Sequence, residues 1–469
     1  MRRLASFVAF TRKGKFRMDF QASLLRRLEN PTLSFNQRAE LRCQLARELE
    51  NKGDYEAARQ AMSELWQRIG DYPKIEGLDR STAAEVLLRS GVLTGLIGYK
   101  HKITDAQETA KNLLSESISI FESLRNSEKV SEAQIEIALC YWRNGDYDEA
   151  RLILKEILPS LKSDDELKAK ALLRLAIVEH STDRLSEEYK ILTDNAALFE
   201  KITNHTLKGS YHNNLANLLE DLAKAERREH YTDRAFVEYT AASYFFEQAG
   251  HKSYLANVEN NLGYLYFKAG KYTEAHEHLD RARRYLLSLK DSSTLARVDE
   301  TRACVFLAEG RNAEAEKTAR ASATILEHGG RQDLLAEALI THGTALARLG
   351  FYSQAYATLQ HAIETAQQAG SLSRAGEAAL ILIEELGEHL TPRTVQTSAA
   401  TTFVEEMRRY EHDLIKEALL RSEGSVTQAA RLLGVSHQRL IYLIKTRHKE
   451  LRSVRTPALR RHKSVIKRK

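Results

Sequence analysis

Cysteine, proline and long apolar runs are all scarce in this sequence. Its 469 residues include only three cysteines, Cys43, Cys140 and Cys304, which lie too far apart to form a disulfide framework or a zinc-ligand spacing. The five prolines leave long stretches rich in Ala, Leu, Glu, Arg and Lys without helix breakers. No apolar run approaches the roughly 20 residues that span a bilayer. The composition therefore predicts an all-α protein of the reducing cytoplasm, without a membrane segment.

The motifs of common enzymes and metal sites are also missing. The sequence has no HExxH, GxxxxGK[ST] or GxSxG motif. His276 and His278 are two positions apart, so on a helix they point about 200° away from each other and cannot chelate one metal from one face. We interpret them as exposed helical histidines. The sequence thus predicts a protein that is not an enzyme and that binds no cofactor or metal.

Charge is concentrated at the two ends of the chain. Residues 445–469 carry a net charge of +10, residues 1–17 carry six Lys or Arg and no acid, and residues 18–444 sum to −10. Basic ends on an acidic body are typical of a protein whose ends meet a polyanion. We predict that residues 1–17 form a disordered basic extension, with Met18 as an alternative start.

A repeat organises most of the sequence. Three segments align without gaps, and their glycines, Gly270, Gly310 and Gly350, are 40 residues apart. Each glycine is followed five positions later by an alanine, and the same signal recurs upstream at Gly53 and Gly145. Glycine ends a helix in the left-handed conformation at no steric cost, and the small alanine lets a second helix approach closely. Such helix pairs cannot bury their apolar faces alone and must stack.

The patterns GKY-x-EA and GDY-x-EA within this repeat resemble the core of tetratricopeptide repeats, in a 40-residue form. The resemblance implies an α-solenoid, and we expect about eight helix pairs over residues 20–390. Weaker copies fill the gaps between the clear ones: residues 82–124 form a divergent pair, and a segment near residue 210 has about seven extra residues before its second helix.

Asparagines cluster on two neighbouring first helices of the predicted pairs. Asparagine is a mediocre helix former, so a row of them calls for a functional explanation. A carboxamide both donates and accepts, and a row of them could hold an extended peptide in the concave groove. Tetratricopeptide proteins that bind peptides use Asn at similar places; the alternative is that several of these side chains bond between helices or to solvent. The predicted partner-binding residues are Asn213, Asn214, Asn217, Asn257, Asn260, Asn261 and Tyr264.

The C-terminal part has a different composition. The Thr-rich segment 391–402 predicts a linker, and an amphipathic helix follows over residues 403–422. The stretch GSVTQAARLLGVSHQRLIYLIK then predicts a short helix from Thr427 to Leu433, a tight turn at Gly434 and a second helix capped by Ser436. This arrangement is a helix-turn-helix, whose second helix enters the major groove of DNA.

The pattern of small residues, Gly and Ser in this stretch resembles the Fis-family DNA-binding domain. The resemblance implies that Gln438 and Arg439 touch bases, where Gln can pair with adenine and Arg with guanine. The family often has Lys or Arg in mid-helix, whereas this chain has Ile441 and Tyr442, which could contact a thymine methyl and a phosphate. We therefore expect the basic tail to supply further phosphate contacts. The predicted DNA-binding residues are Ser436, His437, Gln438, Arg439, Ile441, Tyr442, Lys445, Arg447, Lys449, Arg452, Arg455, Arg460 and Arg461.

The sequence thus predicts five segments: an extension (1–17), a repeat array (18–390), a linker (391–402), a helix-turn-helix domain (403–450) and a basic disordered tail (451–469). The leading hypothesis is a cytoplasmic, nucleoid-associated transcriptional regulator that binds double-stranded DNA as a homodimer. Its solenoid would bind a controlling protein or peptide, and helix 403–422 is a candidate dimer contact. The alternative is a tetratricopeptide scaffold whose basic C-terminus binds RNA, another acidic partner or a membrane surface.

Overall fold

Paired antiparallel helices make up most of the computed structural model, which describes residues 21–162, 166–226, 229–329, 331–386 and 403–454. The predicted extension, the linker 391–402 and the tail cations Arg455, Arg460 and Arg461 lie outside these residues. Helix α1 covers residues 21–28. The next helices are α2 (Phe35–Asn51), α3 (Tyr55–Ala61), α4 (Arg80–Lys100), α5 (Ala106–Ser123), α6 (Ser127–Asn144), α7 (Tyr147–Ile157), α8 (Glu166–Ser181), α9 (Leu185–Asp194), α10 (Ala196–Lys201), α11 (His205–Glu226) and α12 (Glu229–Ala249).

The remaining helices follow the same alternation up to the C-terminal module. They are α13 (Lys252–Lys268), α14 (Tyr272–Leu289), α15 (Ser292–Ala308), α16 (Asn312–Gly329), α17 (Gln332–Arg348), α18 (Tyr352–Gln368), α19 (Leu372–Leu386), α20 (Phe403–Arg421), α21 (Val426–Leu432) and α22 (His437–Thr446). The pairs run from α2 with α3 to α17 with α18, and α10 is a short addition to the fourth pair. The predicted all-α solenoid of about eight pairs is confirmed among the described residues.

Local sequence explains why each pair turns where it does. Gly145, Gly270, Gly310 and Gly350 have φ values between 72° and 91°, the left-handed conformation predicted for them. The extra residues of the fifth pair lie in a long first helix, α11, of 22 residues. The glycine spacing therefore marks the ends of the first helices, as expected.

Close contact within a pair requires a second glycine that the sequence analysis did not single out. A Cβ at Gly263 would lie 2.8 Å from Leu279 Cγ, and a Cβ at Gly343 would lie 2.6 Å from Leu359 Cγ. Both glycines are buried in a first helix and face a leucine of the second helix. The two helices can approach this closely because glycine has no Cβ to meet the leucine side chain.

The chain divides into two compact units, residues 1–291 and 292–469. In the first unit, distant repeats touch each other. Gly53, at the end of α2, packs against the ring of His251, and the hydroxyl of Thr206 donates to the Asn51 carbonyl oxygen at 3.3 Å. His251 is buried, caps α13 by accepting from the Tyr254 amide at 3.2 Å, and has its pKa lowered by burial to about 4. The first pair thus contacts the fifth and sixth.

The second unit joins the last repeats to the C-terminal helices. One apolar cluster runs from α17 and α18 through α19 to α20, α21 and α22, and includes Leu359, Leu382, Leu414 and Leu440. Helix α19 occupies the place of a ninth first helix, and α20 and α21 pack against it. Over the described parts of both units, no helix is long and apolar enough to cross a bilayer.

Candidate DNA-binding and partner-binding sites

The helix-turn-helix is built by a short turn between α21 and α22. Gly434 has a φ of +67°, and Ser436 caps α22 by accepting from the Arg439 amide at 3.2 Å. The first helix begins at Val426 rather than Thr427. Ala429 and Ala430 are buried at the crossing, so the two helices can pack closely. The first turn of α22 is exposed, and in a helix-turn-helix this turn meets base edges in the major groove.

The inner and outer faces of α22 divide nearly as the sequence predicts. Leu440, Leu443 and Ile444 are buried. The exposed set is Ser436, His437, Gln438, Arg439, Tyr442 and Lys445. Ile441 is the exception, because it is half-buried and packs against the apolar cluster. Ile441 was predicted to lie outside with these residues, so that placement is wrong in part.

The cations that follow α22 are partly engaged within the protein. Lys449 is exposed. The guanidinium of Arg447 lies 3.5 Å from Glu411 Oε1, and Arg452 Nη2 donates to the Lys445 carbonyl oxygen at 2.9 Å. These contacts hold the side chains at the C-terminal end of α22.

A buried pair that the sequence analysis missed fixes the end of α22 to α20. His448 Nε2 lies 2.7 Å from Glu411 Oε2, and both residues are buried. Burial raises the pKa of Glu411, but its hydrogen bond with His448 and the charges of His448 and Arg447 outweigh burial and leave that pKa lowered. The segment carrying Lys449 and Arg452 is therefore anchored.

The principal predicted base-reading residue also has a partner in the protein. Arg439 Nη2 donates to Glu384 Oε1 at 2.6 Å, and Glu384 belongs to α19. Both side chains are about half exposed. Nothing in the local pattern of either helix indicates this ion pair, since the two residues are 55 positions apart.

The predicted asparagine cluster is brought together only in part. Asn213, Asn214 and Asn257 line one cavity of about 200 Å³, together with Arg174 and Tyr254. The remaining members lie elsewhere on the same helices.

The other asparagines serve contacts between helices. Asn217 Oδ1 accepts from the Tyr239 hydroxyl at 2.6 Å and from Asn261 Nδ2 at 3.5 Å. Asn260 is 7% exposed, and Tyr264 is exposed. Three of the seven predicted partner-binding residues therefore share a cavity, and two others, Asn217 and Asn261, tie α11 to its neighbours.

Two buried donors in this cavity have no acceptor. Arg174 Nε and Asn214 Nδ2 make no hydrogen bond among the described residues. A buried donor left unpaired costs about 1–3 kcal/mol. Arg174 contributes a positive charge as well.

A larger groove continues from this cavity along the first helices of the first unit. Its volume is about 660 Å³, and it shares Lys170, Arg174 and Tyr254 with the smaller cavity. Its walls carry charges of both signs. The groove is lined by first helices, as the concave surface of a tetratricopeptide array was expected to be.

A charge network bridges successive repeats on one wall of the groove. The guanidinium of Arg89, which is 3% exposed, lies 2.6 Å from Glu50 Oε2 and 2.5 Å from Glu132 Oε1. Further along, Lys170 Nζ lies 2.6 Å from Glu136 Oε1. The sequence does contain a signal for this network, because Glu50, Arg89 and Glu132 follow one another by about one repeat length and alternate in sign.

The histidines of α14 are more buried than the sequence analysis expected. His278 Nδ1 lies 2.8 Å from Glu259 Oε2, and its ring stacks on Tyr266 at 5.0 Å. The interpretation of His276 and His278 as exposed helical histidines is therefore wrong: both residues are partly buried, and the His278 side chain is 14% exposed. The described residues contain no group of His, Cys, Asp and Glu side chains that could hold a metal ion.

Comparison with known families identifies both parts of the chain. Residues 406–445 match the family described as bacterial regulatory protein, Fis family. Residues 39–65 and 99–166 match tetratricopeptide-repeat families. No curated protein is found as a sequence relative.

Solved structures share the helical-repeat fold at low sequence identity. A signal-transduction ATPase with a tetratricopeptide-repeat sensor from Pyrococcus horikoshii is 14% identical over 81% of this chain, with a TM-score of 0.52. This chain covers 56% of that ATPase. A Rap protein complexed with Competence and Sporulation Factor is 13% identical and has a TM-score of 0.49, covering 80% of this chain and 100% of its own. The resemblance to the ATPase shows the fold of the repeats alone.

Proposed function

Because the chain carries tetratricopeptide repeats and a Fis-family helix-turn-helix, we propose that it is a sequence-specific DNA-binding transcriptional regulator. Its solenoid binds a protein or peptide partner that controls or recruits it. The observation that carries the DNA-binding part is the exposed first turn of α22, which is capped by Ser436 and held on a packed core. The matched domains are binding modules, so the proposed function is regulatory and not enzymatic.

In this proposal, Gln438 and Arg439 contact bases, and neighbouring cations contact phosphates. An Arg placed bidentately on guanine discriminates against the wrong base by about 1–3 kcal/mol. Lys445, Lys449 and the tail residues Arg455, Arg460 and Arg461 add affinity without sequence preference. Ser436, His437, Tyr442, Arg447 and Arg452 complete the contact surface, with Ile441 at its edge. The protein is cytoplasmic and associates with the nucleoid when it is bound to DNA.

A homodimer accounts for binding to sites with two-fold symmetry. Helix α20 is the proposed contact, and its Leu420 is 60% exposed. A footprint with two protected half-sites about one helical turn apart would support the dimer. A single protected half-site would refute it.

DNA binding is tested with the full chain and a set of genomic DNA fragments at about 50 mM salt, where phosphate contacts are strong. Arg439→Ala should change the ranking of the fragments, while removal of residues 452–469 should weaken binding to all of them. Arg320→Ala is the matched control, since Arg320 is an exposed arginine on α16. If no fragment is shifted, the proposal is wrong; if single-stranded RNA is bound instead, the chain is a scaffold with a basic nucleic-acid-binding end.

The partner-binding part is supported by the unpaired donors of the smaller cavity. Arg174 and Asn214 call for hydrogen-bond acceptors, which a peptide backbone or an acidic side chain provides. Asn213, Asn214 and Asn257 make up the predicted clamp. Asn217 and Asn261 tie α11 to its neighbours, and Asn260 and Tyr264 extend the predicted clamp along α13 outside this cavity.

Partner capture is measured by co-purification from the native host, followed by identification of the bound chains. Asn213→Ala with Asn257→Ala should lose a partner that the wild type retains. Lys190→Ala, on the exposed side of α9, is the control and should retain it. Equal recovery by the wild type and the double variant would show that the clamp is not the binding site.

A further inference from the structure

Helix α19 has no second helix of its own repeat among the described residues, and the helix-turn-helix module takes that position. Its residues Gly376, Ala379 and Ile383 line a small cavity together with Leu414 and Leu440. A Cβ at Gly376 would lie 3.2 Å from the Leu433 carbonyl oxygen. The last repeat helix is therefore packed directly on the module.

The polar edge of this contact reaches the start of α22. Ser373 lies against Gly434, where an added Cβ would be 2.8 Å from the Ser373 hydroxyl oxygen. About 16 Å further along α19, the carboxylate of Glu384 accepts from Arg439 at 2.6 Å. Glu377 lines the same cavity as Arg439 and Glu384, a space of about 370 Å³. Acidic side chains therefore stand beside the end of α22 that carries the proposed base-contacting residues.

We propose that α19 is an internal competitor of DNA, which holds the helix-turn-helix in an inhibited arrangement through Glu384 and its apolar contact with the module. This inference rests on the proposed function, because it concerns the residue that would read guanine. The guanidinium of Arg439 cannot donate the same hydrogen bonds to Glu384 and to a guanine at the same time. The carboxylate also repels the phosphates on either side of the groove.

The contact between α19 and the helix-turn-helix is weak enough at its polar edge to be reversible. An ion pair that is half exposed is weak and can be exchanged for a DNA contact, while the apolar packing around Gly376 keeps α19 in place when DNA is absent. DNA binding and α19 docking then oppose each other. Whatever loosens α19 raises the affinity for DNA.

The first test compares two neutralising substitutions on the same helix. Glu384→Gln removes the charge beside Arg439, whereas Glu385→Gln removes a charge that pairs with Arg348 at 3.1 Å instead. Both variants keep the full chain, and DNA affinity is measured by fluorescence anisotropy at one low salt concentration. Glu384→Gln should raise the affinity about two- to fivefold. Glu385→Gln should leave it at the wild-type value.

The second test follows α19 itself. Hydrogen exchange of residues 372–386 should rise when a saturating DNA fragment is added to the wild-type chain, because DNA displaces the helix. Gly376→Leu should raise this exchange without DNA and should increase DNA affinity more than Glu384→Gln does, because it adds bulk against Leu433.

The experiments distinguish a failure of the proposed inhibition by α19 from a failure of the proposed DNA binding. If the wild type binds DNA, Glu384→Gln binds it equally well and exchange of residues 372–386 is unchanged, the inhibition is refuted and the regulator remains. If neither the wild type nor any variant binds DNA, both are refuted.

Discussion

Replacing Arg89 by methionine should destabilise the first unit far more than the same substitution at an exposed arginine. The Arg89 side chain is 4% exposed and pairs with Glu50 and Glu132, whose side chains are 10% and 7% exposed. Methionine fills much of the volume of the Arg89 side chain, but it leaves two nearly buried carboxylates without their shared cation. Breaking a buried pair in this way costs about 3–5 kcal/mol, because the remaining charge is uncompensated.

Arg47→Met is the matched control. Arg47 pairs with the same carboxylate, Glu132, at 3.4 Å, but its side chain is 50% exposed. An exposed pair contributes less than about 1 kcal/mol. The two variants therefore remove the same type of side chain from the same acid and differ in burial and in the number of carboxylates that lose their cation.

Urea unfolding followed by tryptophan fluorescence measures the difference. Both tryptophans of the chain, Trp66 and Trp142, lie in the first unit, and Trp66 is 1% exposed. Equal losses for Arg89→Met and Arg47→Met would refute the argument from burial. The triple variant with Glu50→Gln and Glu132→Gln should recover part of the loss of Arg89→Met, because neither partner carboxylate is then left charged without its cation.

Three further predictions concern packing, pH and the C-terminal module. Gly343→Ala should destabilise the protein by about 1–3 kcal/mol, since its Cβ would lie 2.6 Å from Leu359 Cγ; a circular-dichroism melting temperature equal to or above the wild type would contradict this. Burial raises the pKa of Glu50 to about 7, although the charge of Arg89 opposes it. The raised pKa favours the protonated carboxyl in the folded state, so its stabilising contribution is complete below pH 4.5 and is lost as pH rises through about 7. As the pH rises from 4.5 to above 7, the wild type should therefore lose up to about 3 kcal/mol of unfolding free energy relative to Glu50→Gln. Parallel pH profiles of the two proteins would exclude the effect. His448→Ala should leave the buried carboxylate of Glu411 without its hydrogen bond and speed hydrogen exchange in α22; unchanged exchange would show that the pair is not needed.

The repeat could be predicted from sequence because its signals are local. Gly270 and Gly350 end their helices through their own backbone conformation, and that preference does not depend on the rest of the fold. The same holds for Ser436, which caps α22 through a hydrogen bond three residues away. Short-range rules were therefore sufficient for the solenoid and for the inner face of the helix-turn-helix.

The remaining features depend on how distant helices are aligned. The pairing of Arg439 with Glu384 requires α19 to pack on the module, and neither helix indicates this by its periodicity. His278 is polar and was expected in solvent, but Glu259 of the preceding helix stabilises it in a half-buried position. Ile441 likewise turns inward because the apolar cluster extends to it. Sequence reasoning assigned these side chains by residue type, whereas their environment is set by tertiary packing.

The contact of Gly53 with His251 has a consequence for how this array can evolve. Helical arrays commonly lengthen or shorten by duplication or loss of a whole repeat, which changes only the neighbouring interfaces. Between α2 and α13 such a change would move His251 away from Gly53 and leave a buried ring without its neighbour. The number of repeats in that stretch should thus be constant among descendants of this gene, while insertions accumulate in its loops.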